Sequence, residues 1–384
     1  MDKAKRTLYG LSGGHFFLDM YAAILIPLYP VIAQRLNINL AQISLVIAVG
    51  HSISSILQPL FGYISDRLNK RIFMFFGLIF ASLFMPLGFV SSNSFALTLC
   101  LILGMLGNAF YHPQVTTMIK NYYVDNLKLS SAMGLFLGLG TIGYASGPYF
   151  STCVIKTFGS ENFIYTGLIG ILLGFFMLFY VPKLNKSTLS CKNNFKEAIK
   201  EILKNKVCMF LILVTIIKAG LIMSFGTYIP FLLKKFDFTL AQTGIIMTIF
   251  YITSGFSMIA ASKLEKTIKL KGMIITSYIP LLPLTLAFIV SLKYSKIFPI
   301  IILIVLGFFI LLAAGCVLAH AQKIISNAGT ISGIIQGFTL AVGSIMLIPF
   351  GLIGEKFGVE YILILITLIA FIISIYTFKI NFDE

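Results

Sequence analysis

Charge is scarce in this sequence. Only 11% of its 384 residues are Asp, Glu, Lys or Arg, 58% are hydrophobic, and the mean hydropathy is +0.97. A soluble domain is about 25% charged and about 45–50% apolar, and larger soluble chains divide into domains with polar skins. That excludes the soluble classes, so lipid is the solvent for most of this chain. Histidine is reduced to four residues with no His-Glu-x-x-His pair, which leaves an intramembrane metalloenzyme without a compact ligand motif. No metal and no cofactor is expected on this pattern, and no enzyme activity. The five cysteines (Cys100, Cys153, Cys191, Cys208, Cys316) form no metal or redox spacing, and their odd number argues against a disulfide framework. Nothing resembles a selectivity filter, which sets a channel aside. The ten-residue alternation of outer-membrane barrel strands is missing as well.

What remains is a series of continuous apolar runs, each near the length of about 20 residues that spans a bilayer as a helix. They fall at 8–34, 41–65, 72–91, 95–119, 131–156 and 161–181, then at 207–233, 240–263, 273–292, 297–321, 331–354 and 358–379. The expected fold is therefore an all-α integral membrane protein of twelve transmembrane helices. The basic start (Lys3, Lys5, Arg6) before an apolar stretch is also how a signal peptide begins. This stretch is longer, contains Asp19, Pro27 and Pro30, and runs straight into a second span, so it reads as an uncleaved first helix.

Charge placement gives the orientation. With both termini in the cytoplasm, the cytoplasmic tails and loops hold 21 Lys/Arg residues, seven of them in the segment from Lys183 to Lys206; the opposite side holds seven in all. That bias is the positive-inside pattern. The net charge of +16 is then mainly a topology signal and an attraction to anionic headgroups, and no nucleic-acid partner is implied. The expected location is a bacterial-type cytoplasmic (inner) membrane.

Two spaced matches point to an internal duplication. Residues 28–43 (LYPVIAQRLNINLAQI) align with 228–243 (YIPFLLKKFDFTLAQT), setting Pro30 against Pro230 and Leu40-Ala41-Gln42 against Leu240-Ala241-Gln242. Gly107-x4-His112-x-Gln114 recurs as Gly315-x4-His320-x-Gln322 at nearly the same offset. The chain divides accordingly into an N-terminal six-helix half (1–181), a basic cytoplasmic linker (182–206) and a C-terminal six-helix half (207–384). Parallel repeats of this kind are a standard transporter plan, with the substrate site near the midplane.

The motifs carry a family resemblance. GYISDRLNKR (62–71) resembles the loop motif of the major facilitator superfamily through Gly62, Asp66, Arg67 and Arg71, although Asn69 stands where that pattern has a second glycine. Gly134-x8-Gly143-x3-Gly147-Pro148 resembles the superfamily's antiporter motif, with Ser151 and Thr152 in place of two further glycines. His15-x3-Asp19-Met20-Tyr21, Gln58-Pro59-Leu60 and His112-Pro113 look like the fosmidomycin-resistance branch. The resemblance implies a two-half transporter fold, conformational roles for Gly62, Asp66, Arg67, Arg71, Gly143, Gly147 and Pro148, and export of phosphonate-like compounds.

Polar residues deep in the spans are the site candidates, because a charge at the bilayer centre costs about 2.5–3.5 kcal/mol and usually faces a cavity or a partner. His15 and Asp19 are one helical turn apart on one face, and a carboxylate beside an imidazole can hold a proton reversibly. Asp19, His15 and His112 are the candidates for proton coupling. His112, His320, Lys218 and His51 are those for substrate binding, although His51 has no repeat partner and suits a packed interhelical role better. Lys218, which aligns with Leu18 beside Asp19, fits either pairing with Asp19 or binding an anionic group. The expected function is a proton-coupled antiporter exporting a small, anionic compound, working as a monomer, with a proton-coupled importing symporter as the alternative.

Overall fold

The structure is a computed structural model and describes residues 3–68, 71–123, 126–182, 195–265, 267–325, 331 and 333–382. Every regular element among them is helical. The helices are α1 (Lys3–Arg35), α2 (Leu40–Leu68), α3 (Ile72–Phe89), α4 (Ser94–Tyr122), α5 (Asn126–Phe158) and α6 (Glu161–Tyr180). A short amphipathic helix, Phe195–Lys204, precedes α7 (Lys206–Lys235), α8 (Leu240–Leu264), α9 (Leu270–Ser291), α10 (Phe298–Ile324), α11 (Ile334–Phe357) and α12 (Val359–Thr377). Eleven of the twelve are long and apolar enough among the described residues to cross a membrane, which makes the chain a multi-pass membrane protein. The other one is α5, an unbroken run of 33 residues whose five glycines dilute its apolarity.

Breaks inside these helices follow the sequence. In α1 the α-helix Lys3–Ala23 gives way to a 3₁₀ turn at Ile26–Leu28 and resumes at Tyr29–Arg35, around Pro27 and Pro30. Proline lacks the N–H that would continue the ladder. In α9 the interruption comes at Pro280, between Tyr278 and Leu281. The first turn of α11 is a π-helix, Ile334–Phe338.

Cα packing divides the chain into two units of nearly equal size. The first is Met1–Ile38, Val49–Ser190 and Thr239–Thr248; the second is Asn39–Ala48, Cys191–Phe238 and Ile249–Glu384. The duplicated sequence therefore carries a reciprocal exchange, in which the first turns of α2 belong to the second unit and those of α8 to the first. The crossover falls at the same place in both, between Ile38 and Asn39 and between Phe238 and Thr239.

Local chemistry at the two crossovers matches closely. Asn37 and Asp237 adopt left-handed backbone with φ of 50° and 57°, a conformation that short polar side chains tolerate. The amide of Ile38 donates to the Ala33 carbonyl at 3.0 Å, and that of Phe238 to the Leu233 carbonyl at 3.0 Å, closing the same helix-ending motif. The next helices open on capping boxes. The Gln42 amide donates to Asn39 Oδ1 and the Asn39 amide to Gln42 Oε1, both at 2.9 Å. The Gln242 amide donates to Thr239 Oγ1 at 3.2 Å and the Thr239 amide to Gln242 Oε1 at 2.9 Å. Each box satisfies two otherwise orphaned donors.

Inside the first unit α1 lies against α5 along the glycines of α5. A Cβ at Gly143 would collide with the Phe16 carbonyl, and one at Gly147 would come within 2.6 Å of the Met20 carbonyl. Gly134 and Gly138, on the other side of the helix, have open space. Helices α3 and α4 cross through a second small-residue contact, where a Cβ at Gly77 would sit 2.9 Å from the Gly107 carbonyl. Small residues allow the backbone approach that apolar helices need in lipid. Around Pro148 the Ser151 and Thr152 hydroxyls donate to the Pro148 carbonyl at 3.1 and 3.0 Å, and the Tyr149 amide donates to Thr248 Oγ1 at 3.1 Å.

In the second unit the exchanged segment is anchored by hydrogen bonds. Ser44 Oγ lies 2.9 Å from the Tyr228 hydroxyl, the Tyr228 hydroxyl donates to the Leu347 carbonyl at 3.1 Å, and the Leu40 amide donates to Glu355 Oε2 at 2.9 Å.

Candidate functional site

The close approach of α1 to α5 decides where His15 can go. Gly140 lies directly under its ring, because a Cβ there would overlap the imidazole. The ring stacks on Phe136 with centroids 4.0 Å apart and planes at 18°. Its Nδ1 lies 2.8 Å from the Phe136 carbonyl oxygen, an acceptor, so that nitrogen carries a proton. The other nitrogen, Nε2, is 3.0 Å from Asp19 Oδ2, one turn further along α1. His112 enters from α4 with its Nε2 3.6 Å from Asp19 Oδ1 and its ring edge-on to His15, centroids 4.8 Å apart. Tyr111, next to His112, is fully buried and ties α4 to α1 by donating to the Leu11 carbonyl at 2.6 Å. Gly14 leaves the space its hydroxyl needs.

The result is a carboxylate flanked by two imidazoles. The Asp19 side chain is 17% exposed, that of His15 3% and that of His112 31%. The site thus opens on the His112 side and is closed behind His15. Asp19 can only accept hydrogen bonds while ionised, and each imidazole can carry one proton or two. Such a group can take up and release protons without leaving a bare charge in an apolar interior.

The other candidates lie elsewhere. His51 is on α2, and its ring makes no hydrogen bond among the described residues. Within the second unit His320 of α10 meets the Phe382 ring edge-on at 6.1 Å. Lys218 of α7 lines a small cavity with Thr215, Ser277, Tyr278, Ala314 and Val317. The hydroxyl donors there are already used: Thr215 donates to the Leu211 carbonyl at 2.8 Å, Ser277 to Phe309 and Tyr278 to Val214, both at 2.7 Å. No carboxylate of that unit pairs with Lys218 among the described residues.

The loop motif is described only in part. Gly62, Asp66 and Arg67 fall in the last turns of α2, and their side chains lie outside the described residues. Arg71 is described and donates to the Leu178 carbonyl at 2.8 Å and to the Val181 carbonyl. Arg6 approaches the same helix end, 3.4 Å from the Phe179 carbonyl and over the Tyr180 ring. Two cations at the C-terminus of α6 neutralise its unsatisfied carbonyls. Within the described structure Arg71 thus works as a helix cap.

Spacing in the sequence pairs His15 with Asp19 but does not reach Phe136 or Tyr111. The Phe136 contribution is a main-chain carbonyl, which leaves no mark in a sequence. Gly140 carries a signal, since it belongs to the glycine-rich face of α5.

Apolar membrane-length helices in two units, with titratable groups buried among them, fit a membrane transporter. The family model of the Major Facilitator Superfamily matches residues 11–348, and the chain belongs to that superfamily, whose members act on small molecules in the membrane. It is 21% identical over 371 residues to the fosmidomycin resistance protein of Escherichia coli (strain K12), covering 93% of this chain and 89% of that protein. It is 25% identical over 238 residues to the "Probable nitrate transporter NarT" of Staphylococcus epidermidis, covering 61% of this chain and 59% of the other. Among solved structures it resembles a point mutant of the nucleoside transporter NupG, with a TM-score of 0.81 and 13% identity over 98% of this chain and 99% of that one. A bacterial homologue of the human lysosomal transporter Spinster, inward-facing and unoccupied, gives a TM-score of 0.82 at 13% identity over 99% and 97% of the two chains. At these identities the structural likeness concerns the fold.

Proposed function

We propose that this transporter is a proton-coupled antiporter that exports a small, anionic compound from the cytoplasm across a bacterial inner membrane. The observation that carries the reading is the cluster of His15, Asp19 and His112, in which one carboxylate lies 3.0 and 3.6 Å from two imidazoles. A proton entering the cluster changes its charge by one unit, and that is what links proton movement to the substrate cycle. Lys218 supplies the counter-charge for an anionic substrate, since the hydroxyls around it are occupied by backbone carbonyls. The names of the two relatives support that class, as fosmidomycin and nitrate are both anions. Likeness to a resistance protein over most of the chain favours export. Both termini and the basic linker lie on the cytoplasmic side, following the positive-inside bias.

The test is uptake of an anionic phosphonate into inverted vesicles with and without an imposed pH gradient. Gradient-dependent uptake, lost in Asp19→Asn, is the expected result. Uptake indifferent to the gradient would end the coupling claim. A second reading, import by proton symport, draws on the likeness to a nitrate transporter. Higher whole-cell accumulation on overexpression would favour it over export.

A further inference from the structure

The cluster at Asp19 has the donor set of a metal site as well as that of a proton site. His15 Nε2, His112 Nε2 and an Asp19 carboxylate oxygen all lie within 4.8 Å of one another. Spacing along the chain gives no hint of this, because His112 comes from a different helix and is 93 residues from Asp19. His15 supplies the independent observation. It is 2% exposed, and its Nδ1 is committed to the Phe136 carbonyl at 2.8 Å. Its Nε2 is buried without a hydrogen-bond partner and faces Asp19 Oδ2 at 3.0 Å. A neutral imidazole with its proton on Nδ1 therefore directs an unused lone pair into the cluster. A backbone carbonyl holding the far nitrogen is the usual outer support of a metal-bound histidine.

We propose that His15 Nε2, His112 Nε2 and Asp19 bind a divalent first-row transition ion such as Zn²⁺. Zinc sits about 2.0–2.2 Å from imidazole nitrogen and carboxylate oxygen, which puts tetrahedral donors roughly 3.3 Å apart. His15 Nε2 lies 3.0 Å from Asp19 Oδ2 and His112 Nε2 3.6 Å from Asp19 Oδ1, so each imidazole is near that spacing from one carboxylate oxygen, and a turn of the carboxylate presents either oxygen to a shared ion. The remaining pair closes by rotation of His112, the more exposed ring of the two. Two nitrogens and one oxygen select this class over Mg²⁺ or Ca²⁺, which take oxygen ligands. Three protein donors leave a fourth position for water or an anionic group on a ligand. Binding itself does not depend on the proton-coupled reading, but its consequence for transport rests on it: ion and proton compete for the same lone pairs, so a bound ion stops coupled flux.

The test uses the full chain in lipid nanodiscs, freed of any affinity tag and washed with chelator, titrated with Co²⁺. The expected result is a saturable visible absorption of four-coordinate intensity at one Co²⁺ per chain, abolished by excess Zn²⁺. Affinity should fall by about tenfold or more in His112→Ala and in Asp19→Asn and stay unchanged in His51→Ala and His320→Ala. His112→Cys, which keeps a donor, should restore binding and add a sulfur-to-cobalt charge-transfer band, and that guards against a merely misfolded alanine variant. No saturable band, or equal loss in His320→Ala, would overturn the proposal. Flux assays on chelated vesicles separate the two readings. Gradient-driven flux without cobalt binding would remove the metal site alone, and cobalt binding with gradient-independent flux would remove the coupling alone.

Discussion

The two units share their frame and differ in their interior chemistry. At the crossovers they repeat one another almost atom for atom: left-handed Asn37 and Asp237, the same helix-ending hydrogen bonds, the same reciprocal capping. In the apolar interior the likeness stops. The first unit gathers a carboxylate and two imidazoles, whereas the second holds Lys218 among hydroxyls that serve the backbone. The duplicated histidines diverge in the same way, His112 beside an acid and His320 beside Phe382. Turns and caps answer to backbone geometry, which both units must satisfy. Buried polar side chains answer to their own local partners, and there the two units differ.

Breaking the comparison in the first unit should have the largest effect. Asp19→Asn is expected to abolish gradient-driven transport while leaving substrate exchange at equal pH, measured by counterflow in proteoliposomes. Exchange lost together with drive would instead make Asp19 part of the substrate site. In the second unit, Lys218→Gln should raise the KM for an anionic substrate by about tenfold, the weight of a charge-assisted hydrogen bond, and leave the dependence on the pH gradient intact. An unchanged KM would remove Lys218 from the site.

The duplicated glycines offer a structural contrast of the same kind. A Cβ at Gly107 would meet the Gly77 carbonyl and come within 2.9 Å of the Ala81 amide nitrogen, whereas one at Gly315 has open space. Gly107→Ala should destabilise the protein by about 1–3 kcal/mol through overpacking. Gly315→Ala should be neutral or stabilise it by about 0.4–1 kcal/mol. Thermal unfolding of the two variants in nanodiscs decides whether the small-residue crossing belongs to the first unit alone. The smallest effect is expected at the Lys235–Glu360 ion pair of the second unit, whose lysine is 58% exposed. Lys235→Gln should shift stability by no more than about 1 kcal/mol in the same assay, less still at high salt.

Much of the fold was legible because lipid leaves few choices. Continuous apolar runs have to be helices, whereas the breaks at Pro27, Pro30 and Pro280 came from the structure, since Pro86, Pro113, Pro148 and Pro230 sit inside unbroken helices. The repeated spacing was legible since turns and caps constrain particular residues, and Gln42 and Gln242 are such residues. Of the site, His15 and Asp19 were legible because a helix brings residues four apart together. His112 was grouped with them as a proton-coupling candidate, but its contact with Asp19 at 3.6 Å was not legible, since it depends on how α4 packs against α1. The exchange of 39–48 and 239–248 between units was not legible either, as nothing local distinguishes those turns from the rest of α2 and α8.

The hydrogen bond that fixes His15 ends on a main-chain carbonyl. Every amino acid placed at position 136 brings that same oxygen, so mutation there can reshape the stacking surface but cannot delete the acceptor. Four residues later the situation reverses: at position 140 every residue except glycine brings a Cβ into the imidazole. Substitution at the fully buried position 136 thus costs packing but keeps the acceptor, while 140 is pinned to the smallest residue, and the orientation of a buried histidine rests on an atom that substitution cannot remove.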